Sequence, residues 1–296
     1  MITARISSGL GNQMFQYAAA FALSRRLGTE LQMDTFLMYR NCGCTPRNFE
    51  LDAFCIQFQK RLRHRHFLSN KFLRNMANFT YKIFYKKKWY LEEHFYYLYD
   101  SRIENAGKNC YLAGFFQSEK YFANCKDDVR KEFQFKKNLC GQNEKLMEKL
   151  QEQNTVALHI RRGDYVKERN IKLGLVCTPF YYENAIEYIQ KHIPNLVFLI
   201  FSEDLEWVRA NIKIPQPCHF IDWNLALPPS IDMQLMSLCK HQIISNSSYS
   251  WWASWLNNNP SKIIVAPDKW RTDVEETDIY TENMVKIPTT LMKEKI

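Results

Sequence analysis

Short apolar runs alternate with longer stretches of helical periodicity along most of the chain. Strands are expected near residues 2–6, 30–34, 110–116, 155–160, 196–202, 219–222, 242–245 and 262–266. Several of these are continuous apolar runs, such as Leu196 to Phe201, the pattern of a strand covered on both faces. Between them the periodicity predicts helices over 11–27, 142–152, 179–192, 203–212, 231–240 and 249–257. In the first, Met14, Ala18, Phe21, Ala22 and Arg25 share a face and Gly28 supplies a stop. Thr178-Pro179 opens another with a cap and a first-position proline, and Asn257 to Pro260 closes the last. Strand and helix in this alternation predict an α/β fold with parallel sheets covered by helices. A chain of 296 residues accommodates two domains. The polar helix around 142–152 marks the expected boundary, giving an N-terminal α/β domain over 1–150 and a C-terminal Rossmann-like domain over 151–296.

Composition changes this picture in one place. From Ala53 to Leu91 there is no Asp or Glu and there are ten Lys and Arg; taking these ten from the net charge of +9 leaves −1 for the rest. The basicity is therefore local, which argues against a nucleic-acid partner and against a general polyanion binder. Within the segment Leu68, Phe72, Met76, Phe79 and Ile83 recur at helical spacing. A basic amphipathic helix of this kind can lie on anionic membrane, placing the protein peripherally at the inner face of a membrane. The favoured alternative is a basic helical insertion in the first domain whose apolar stripe packs internally. No signal-peptide pattern and no membrane-spanning apolar run is present. Nine cysteines include no Cys-x-x-Cys, and Cys42-Gly43-Cys44 is too tight for a zinc site. Reduced thiols and a cytoplasmic location are expected, with Asn78 and Asn246 unglycosylated.

Three segments carry candidate chemistry. Thr155 to Leu158 is a strand run that leads into His159-Ile160-Arg161-Arg162-Gly163-Asp164-Tyr165. Adjacent arginines after a strand suit an anion at the carboxyl end of a parallel sheet, where open α/β folds bind ligands. The guanidinium fork matches phosphate oxygens. Near the start, Ile2 to Ile6 is followed by Ser7-Ser8-Gly9-Leu10-Gly11-Asn12-Gln13 and then the first helix, a glycine turn that aims a helix N-terminus at negative charge. It is neither a dinucleotide fingerprint nor a P-loop. The third segment runs Ser245-Asn246-Ser247-Ser248-Tyr249-Ser250-Trp251-Trp252 after a buried strand. Ser248 is the expected N-cap of the helix carrying the tryptophans, which serve the core. The remaining serines and Asn246 suit phosphate oxygens or sugar hydroxyls.

Together these segments resemble the α-1,2-fucosyltransferases of glycosyltransferase family 11. The resemblance rests on Gly9 to Ala18, His159 to Tyr165 and Ser245 to Trp252, with lesser matches at Gly114 to Phe122 and Phe201 to Asp204. It implies a GT-B-like fold of two facing Rossmann-like domains. It also implies inverting transfer of L-fucose from GDP-β-L-fucose to the 2-hydroxyl of a galactose-terminated glycan acceptor, with no metal and no cofactor beyond the donor itself. A transferase for another GDP-sugar or another linkage would grip the diphosphate in the same way.

For that reaction the leaving diphosphate gains charge in the transition state. The chain contains no Asp-x-Asp to hold a metal, so cations and helix N-termini must take that charge. Arg161 is the candidate for the β-phosphate, with Arg162 beside it and Ser247 and Ser248 donating to phosphate oxygens. Asn12 and the backbone of Gly9 and Gly11 would face the diphosphate or the sugar. Asp204, then Glu203, is the candidate acceptor for guanine N–H groups, against the alternative of a helix first-turn acid. His159 either contacts base or ribose or is a satisfied buried histidine. No residue is singled out as general base. Asp164 could be the base or could orient the arginines, and two adjacent cations favour orientation. Glu119 and Glu168 are further candidates.

Overall fold

The computed structural model describes residues 1–35, 38, 47–62, 90–94, 97–166 and 170–290. The chain forms two compact units, Met1–Lys136 and Lys137–Ile296. The helix Gln142–Lys149 lies in the second unit, where Asn143 exchanges hydrogen bonds with Asn224 (3.0 and 3.1 Å) and accepts from Trp223 Nε1 (2.8 Å). Most of the basic 53–91 segment, including Leu68, Phe72, Met76, Phe79 and Ile83, lies outside the described residues, as do Cys42, Cys44, Asn78 and Glu168. Among the described residues no helix is long and apolar enough to cross a membrane.

In the first unit the strands are β1 (Ile2–Arg5), β2 (Leu31–Asp34), β3 (Lys60–Leu62), β4 (Tyr90–Glu92) and β5 (Cys110–Ala113). They pair in parallel in the order β3-β2-β1-β5-β4. The helix Leu10–Leu27 follows β1 and is buried on nearly every side from Leu10 to Ser24, so the single apolar face expected for it is too narrow, and Arg25 lies exposed. Its many small side chains (Ala18, Ala19, Ala20) allow close approach, and Tyr17 reaches Glu132 at 2.5 Å inside the unit.

The second unit holds β6 (Asn154–Ile160), β7 (Leu196–Ser202), β8 (Cys218–Phe220), β9 (His241–Ile243), β10 (Ile264–Pro267) and β11 (Met284–Ile287), parallel throughout in the order β11-β10-β9-β6-β7-β8. Strand β7 is buried at every position, as a parallel strand covered on both faces must be. Val156, Leu158 and Ile160 of β6 pack with Phe198, Ile200, Ile243 and Val265 against Tyr181, Ala185 and Ile189 of the helix Pro179–His192. Full burial of such side chains contributes roughly 1.5–3 kcal/mol each.

The α/β class and its parallel sheets match the sequence expectation. In each sheet the strand order reverses beside the unit's first strand: between β1 and β5 in one, between β6 and β9 in the other. In open α/β sheets the crevice outside the carboxyl ends at such a reversal is where ligands bind.

Candidate functional site

The segments singled out in the sequence fall at these two reversals. In the second unit His159 to Tyr165 leaves β6, Glu203 and Asp204 leave β7, and Ser245 to Ser248 leaves β9. His159 is buried, with Nδ1 2.9 Å from the Ser245 hydroxyl and its ring against Tyr249. Burial, then the neighbouring Arg161 charge, lowers its pKa to about 3, so it is neutral at physiological pH. The satisfied buried histidine is the reading this geometry supports. The Tyr165 hydroxyl donates to the Asn246 carbonyl (3.1 Å), tying the β6 loop to the β9 loop.

Each arginine has its own set of partners. Arg161 donates to Asp164 at 2.6 Å, forms an ion pair with Glu203, and lies over the face of Tyr165. Arg162 pairs through Nε with Asp204 Oδ2 (3.0 Å), and its guanidinium sits 3.8 Å from the centroid of Trp207. Asp164 thus acts on Arg161 as an orienting carboxylate. Gly163 has φ +25°, and a Cβ there would come within 3.1 Å of a Glu203 carboxylate oxygen. The glycine therefore lets the loop fold down onto the acid that holds Arg161.

Asp204 caps the helix Leu205–Asn211: Oδ1 accepts from the Trp207 amide (3.1 Å) while Oδ2 takes Arg162. The hydrogen bond from Arg162, then the Trp207 amide, holds its carboxyl below the usual range. Both guanine-acceptor candidates, Asp204 and Glu203, are paired with arginines. A base contact would use their remaining lone pairs.

The serine-rich turn divides differently from expectation. Ser247, not Ser248, is the N-cap of the helix Ser248–Leu256, its hydroxyl accepting from the Tyr249 amide at 3.3 Å. Ser247 keeps extended backbone angles while Ser248 already has helical ones, which moves the cap by one residue. Ser245 turns inward to His159, and Asn246 is buried among backbone carbonyls.

In the first unit Gly9 starts the helix Leu10–Leu27 with no side-chain cap, and no atom lies within 4 Å of where a Cβ would stand. Gly11 is buried in the first turn. Asn12 accepts from Gln117 Nε2 at 2.5 Å. Two buried amides, not singled out from the sequence, hold the turn. Gln13 donates to the carbonyls of Ser8 and Asn48 (2.8 Å each) and accepts from the Glu50 amide (3.0 Å). Gln16 accepts from the Ser7 amide (2.9 Å) and donates to its hydroxyl (3.1 Å). They hold Ser8 at φ +66°, a conformation unusual for a residue with a Cβ. Glu119 opens the 3₁₀ helix Glu119–Cys125 and pairs with Lys126 at 2.9 Å.

Among the described residues no group of three or more His, Cys, Asp or Glu is placed to hold a metal ion. Residues 1–288 match the family model described as Glycosyl transferase family 11. The chain belongs to glycosyltransferase family 11. It is 35% identical over 95% of its length to the "O-antigen biosynthesis glycosyltransferase WbnK" of Escherichia coli, covering 99% of that protein. It is 33% identical to an "Alpha-1,2-colitosyltransferase" of Escherichia coli, over 97% of this chain and 99% of that one. The "Galactoside 2-alpha-L-fucosyltransferase Sec1" of Mus musculus is 24% identical over 86% of this chain and 64% of its own. Among solved structures, the fucosyltransferase NodZ from Bradyrhizobium is similar with a TM-score of 0.47 and 13% identity, over 85% of this chain and 91% of that one.

The state of His159 has a measurable consequence. Its folded pKa of about 3 lies below the ordinary value of 6.5, so between these pH values the unfolded chain holds a proton that the folded chain does not. Stability therefore rises with pH through this window and is lost on acidification below about pH 6.5. From pH 7 to pH 5 this one group should cost about 2 kcal/mol. In His159→Gln the stability difference between these two pH values, read by denaturant titration, should shrink by that amount. An unchanged difference would refute the buried neutral state.

Proposed function

We propose that the protein transfers L-fucose from GDP-β-L-fucose to the 2-hydroxyl of a galactose residue on a glycan, with inversion and without a metal. The observation that carries this reading is the paired Arg161 and Arg162 at the carboxyl end of β6, beside the strand-order reversal, in a family 11 chain that lacks Asp-x-Asp. The α-1,2 linkage is supported by relatives named for α-1,2-colitosyl and galactoside α-1,2-fucosyl transfer. In this reading Arg161 leaves its carboxylate partners for the β-phosphate, and the helix start at Ser247 and Ser248 faces the same oxygens. Asn12 and the Gly9–Gly11 backbone contact the diphosphate or sugar. Asp164 orients Arg161. In this reading the transfer proceeds through a loose, oxocarbenium-like transition state that asks little of a base.

A second donor is favoured by the 33% identity to an α-1,2-colitosyltransferase over nearly both full lengths. Colitose is fucose without its 3-hydroxyl, so one diphosphate site serves either sugar. The test is turnover of GDP-fucose, GDP-colitose and GDP-mannose with terminal-galactose acceptors, the product linkage read by NMR, with and without excess EDTA. The expected result is fucosyl transfer to O2, unchanged by EDTA. Exclusive use of GDP-colitose would move the assignment to that donor. Loss of activity on chelation, restored by Mg²⁺ or Mn²⁺, would refute metal independence, and no turnover of any GDP-sugar would refute the donor class.

A further inference from the structure

Arg162 is held by contacts that all come from one short stretch after β7. Asp204 Oδ2 accepts from its Nε at 3.0 Å. The same carboxylate accepts through Oδ1 from the Trp207 amide at 3.1 Å. Trp207 lies in the first turn of the helix that Asp204 caps, and its ring returns to Arg162, with the guanidinium carbon 3.8 Å from the ring centroid. Ser202 completes the set, its hydroxyl accepting from the Asp204 amide at 3.1 Å. With Nε tied to a carboxylate and one side closed by the indole, the guanidinium keeps its terminal Nη groups as open donors. Among the described residues no group accepts a hydrogen bond from either Nη, and the side chain is 23% exposed. Arg161 differs, because both of its Nη atoms are taken, by Asp164 and Glu203.

We propose that Trp207 is a positioning residue for donor binding: with Asp204 it sets the Arg162 guanidinium so that its Nη edge meets a phosphate oxygen of the donor. The inference rests on the reading that the paired arginines grip the diphosphate, and it divides their work. Arg162 displaces no carboxylate from its Nη edge when the nucleotide arrives. Its contacts to the ring and to Asp204 stay the same as charge builds on the leaving group. It therefore binds substrate and transition state about equally, which lowers KM without raising kcat. Arg161 exchanges carboxylates for the diphosphate, and its contribution grows with the charge on the leaving group. The indole is suited to the task because contact with its face uses no N–H donor, so every Nη hydrogen is kept for the ligand.

The test uses the full chain, steady-state kinetics with GDP-fucose or GDP-colitose, whichever is turned over, and GDP binding by calorimetry. Trp207→Leu keeps apolar bulk and removes the ring. It should raise the donor KM and the Kd for GDP roughly 3- to 30-fold, the range of a cation–π contact, with little change in kcat. Fluorinated tryptophans placed at position 207 alone keep the shape of the ring and weaken the attraction of its face, so the Kd should rise with each added fluorine. This series decides the matter even where Trp207→Leu fails to fold. Arg162→Ala should weaken GDP binding at least as far as Trp207→Leu, and Trp207→Leu in that background should cost nothing more. A tryptophan that serves only the fold would lower the thermal midpoint and give a flat fluorine series. A flat series, or losses that add in the double variant, with Arg162→Ala impaired, overturns the positioning role alone. So does a fall in kcat at unchanged GDP affinity in Trp207→Leu. Full GDP affinity in Arg162→Ala overturns the grip of Arg162 on the diphosphate and the inference built on it.

Discussion

Arg161→Ala is expected to fold and to lose two to three orders of magnitude in turnover, about the cost of deleting one key transition-state donor. The Arg161 charge is balanced by Asp164 and Glu203. A guanidinium held between two carboxylates is oriented before the diphosphate arrives. It can exchange them for phosphate oxygens as negative charge builds on the leaving group. The fold should survive, because Arg161 is part of no core cluster and lies in a loop after β6, and Asp164 and Glu203 both retain contact with water. Lys at this position should rescue poorly. A single ammonium supplies the charge but cannot replace a planar fork that spans two partners. Asp164→Asn tests the same account from the other side: it keeps a hydrogen-bond acceptor for Arg161 but removes the charge, and should cost less than Arg161→Ala. The measurement is kcat/KM for the GDP-sugar beside a thermal melt. Near wild-type turnover in a folded Arg161→Ala protein would remove Arg161 from the reaction.

The arginines were legible in the sequence because a strand end and its loop are local features. Thr155 to Tyr165 contains both the apolar run and the cations that follow it. Asp164 was legible in the same window; the partners on other strands were not. Glu203 reaches Arg161 only because β7 pairs with β6 in register, bringing Ser202 opposite Ile160. Gln117 meets Asn12 across 105 residues because β5 adds beside β1. Strand order is a property of the whole sheet, and no window of sequence contains it. The same limit explains the missed elements. Strands β3, β4 and β11 are three- or four-residue strands at the sheet edges, placed by the sheet they join. The strand expected over 110–116 stops at Ala113, because Glu93 takes the amides that would have continued the ladder. The cap was misplaced by one residue because Ser247 and Ser248 are chemically identical and only backbone angles separate them.

Asn246→Ala should be the more damaging substitution for stability, although the sequence suggests a polar contact with substrate. Asn246 is 1% exposed. Its Nδ2 donates to the carbonyls of Leu173 and Trp270, both at 3.0 Å, and its Oδ1 faces the Cys177 thiol at 3.3 Å. One side chain therefore satisfies groups on three segments that no regular ladder connects. Alanine would strand two carbonyls, at roughly 1–3 kcal/mol for each unsatisfied buried group, and leave a small cavity besides. A loss of about 3–5 kcal/mol follows, a fall of about 10 °C in the melting midpoint for a unit of this size. Asn246→Asp separates hydrogen bonding from volume. It keeps the shape and turns the donor edge into an acceptor facing two carbonyls, so it should be at least as destabilising as alanine. Ser247→Ala, which removes only the cap on the helix Ser248–Leu256, should cost about 1 kcal/mol. An unchanged midpoint in Asn246→Ala together with lost turnover would return Asn246 to the substrate, and the β9 loop would then owe its shape to Ser245, Ser247 and the Tyr165 hydroxyl alone.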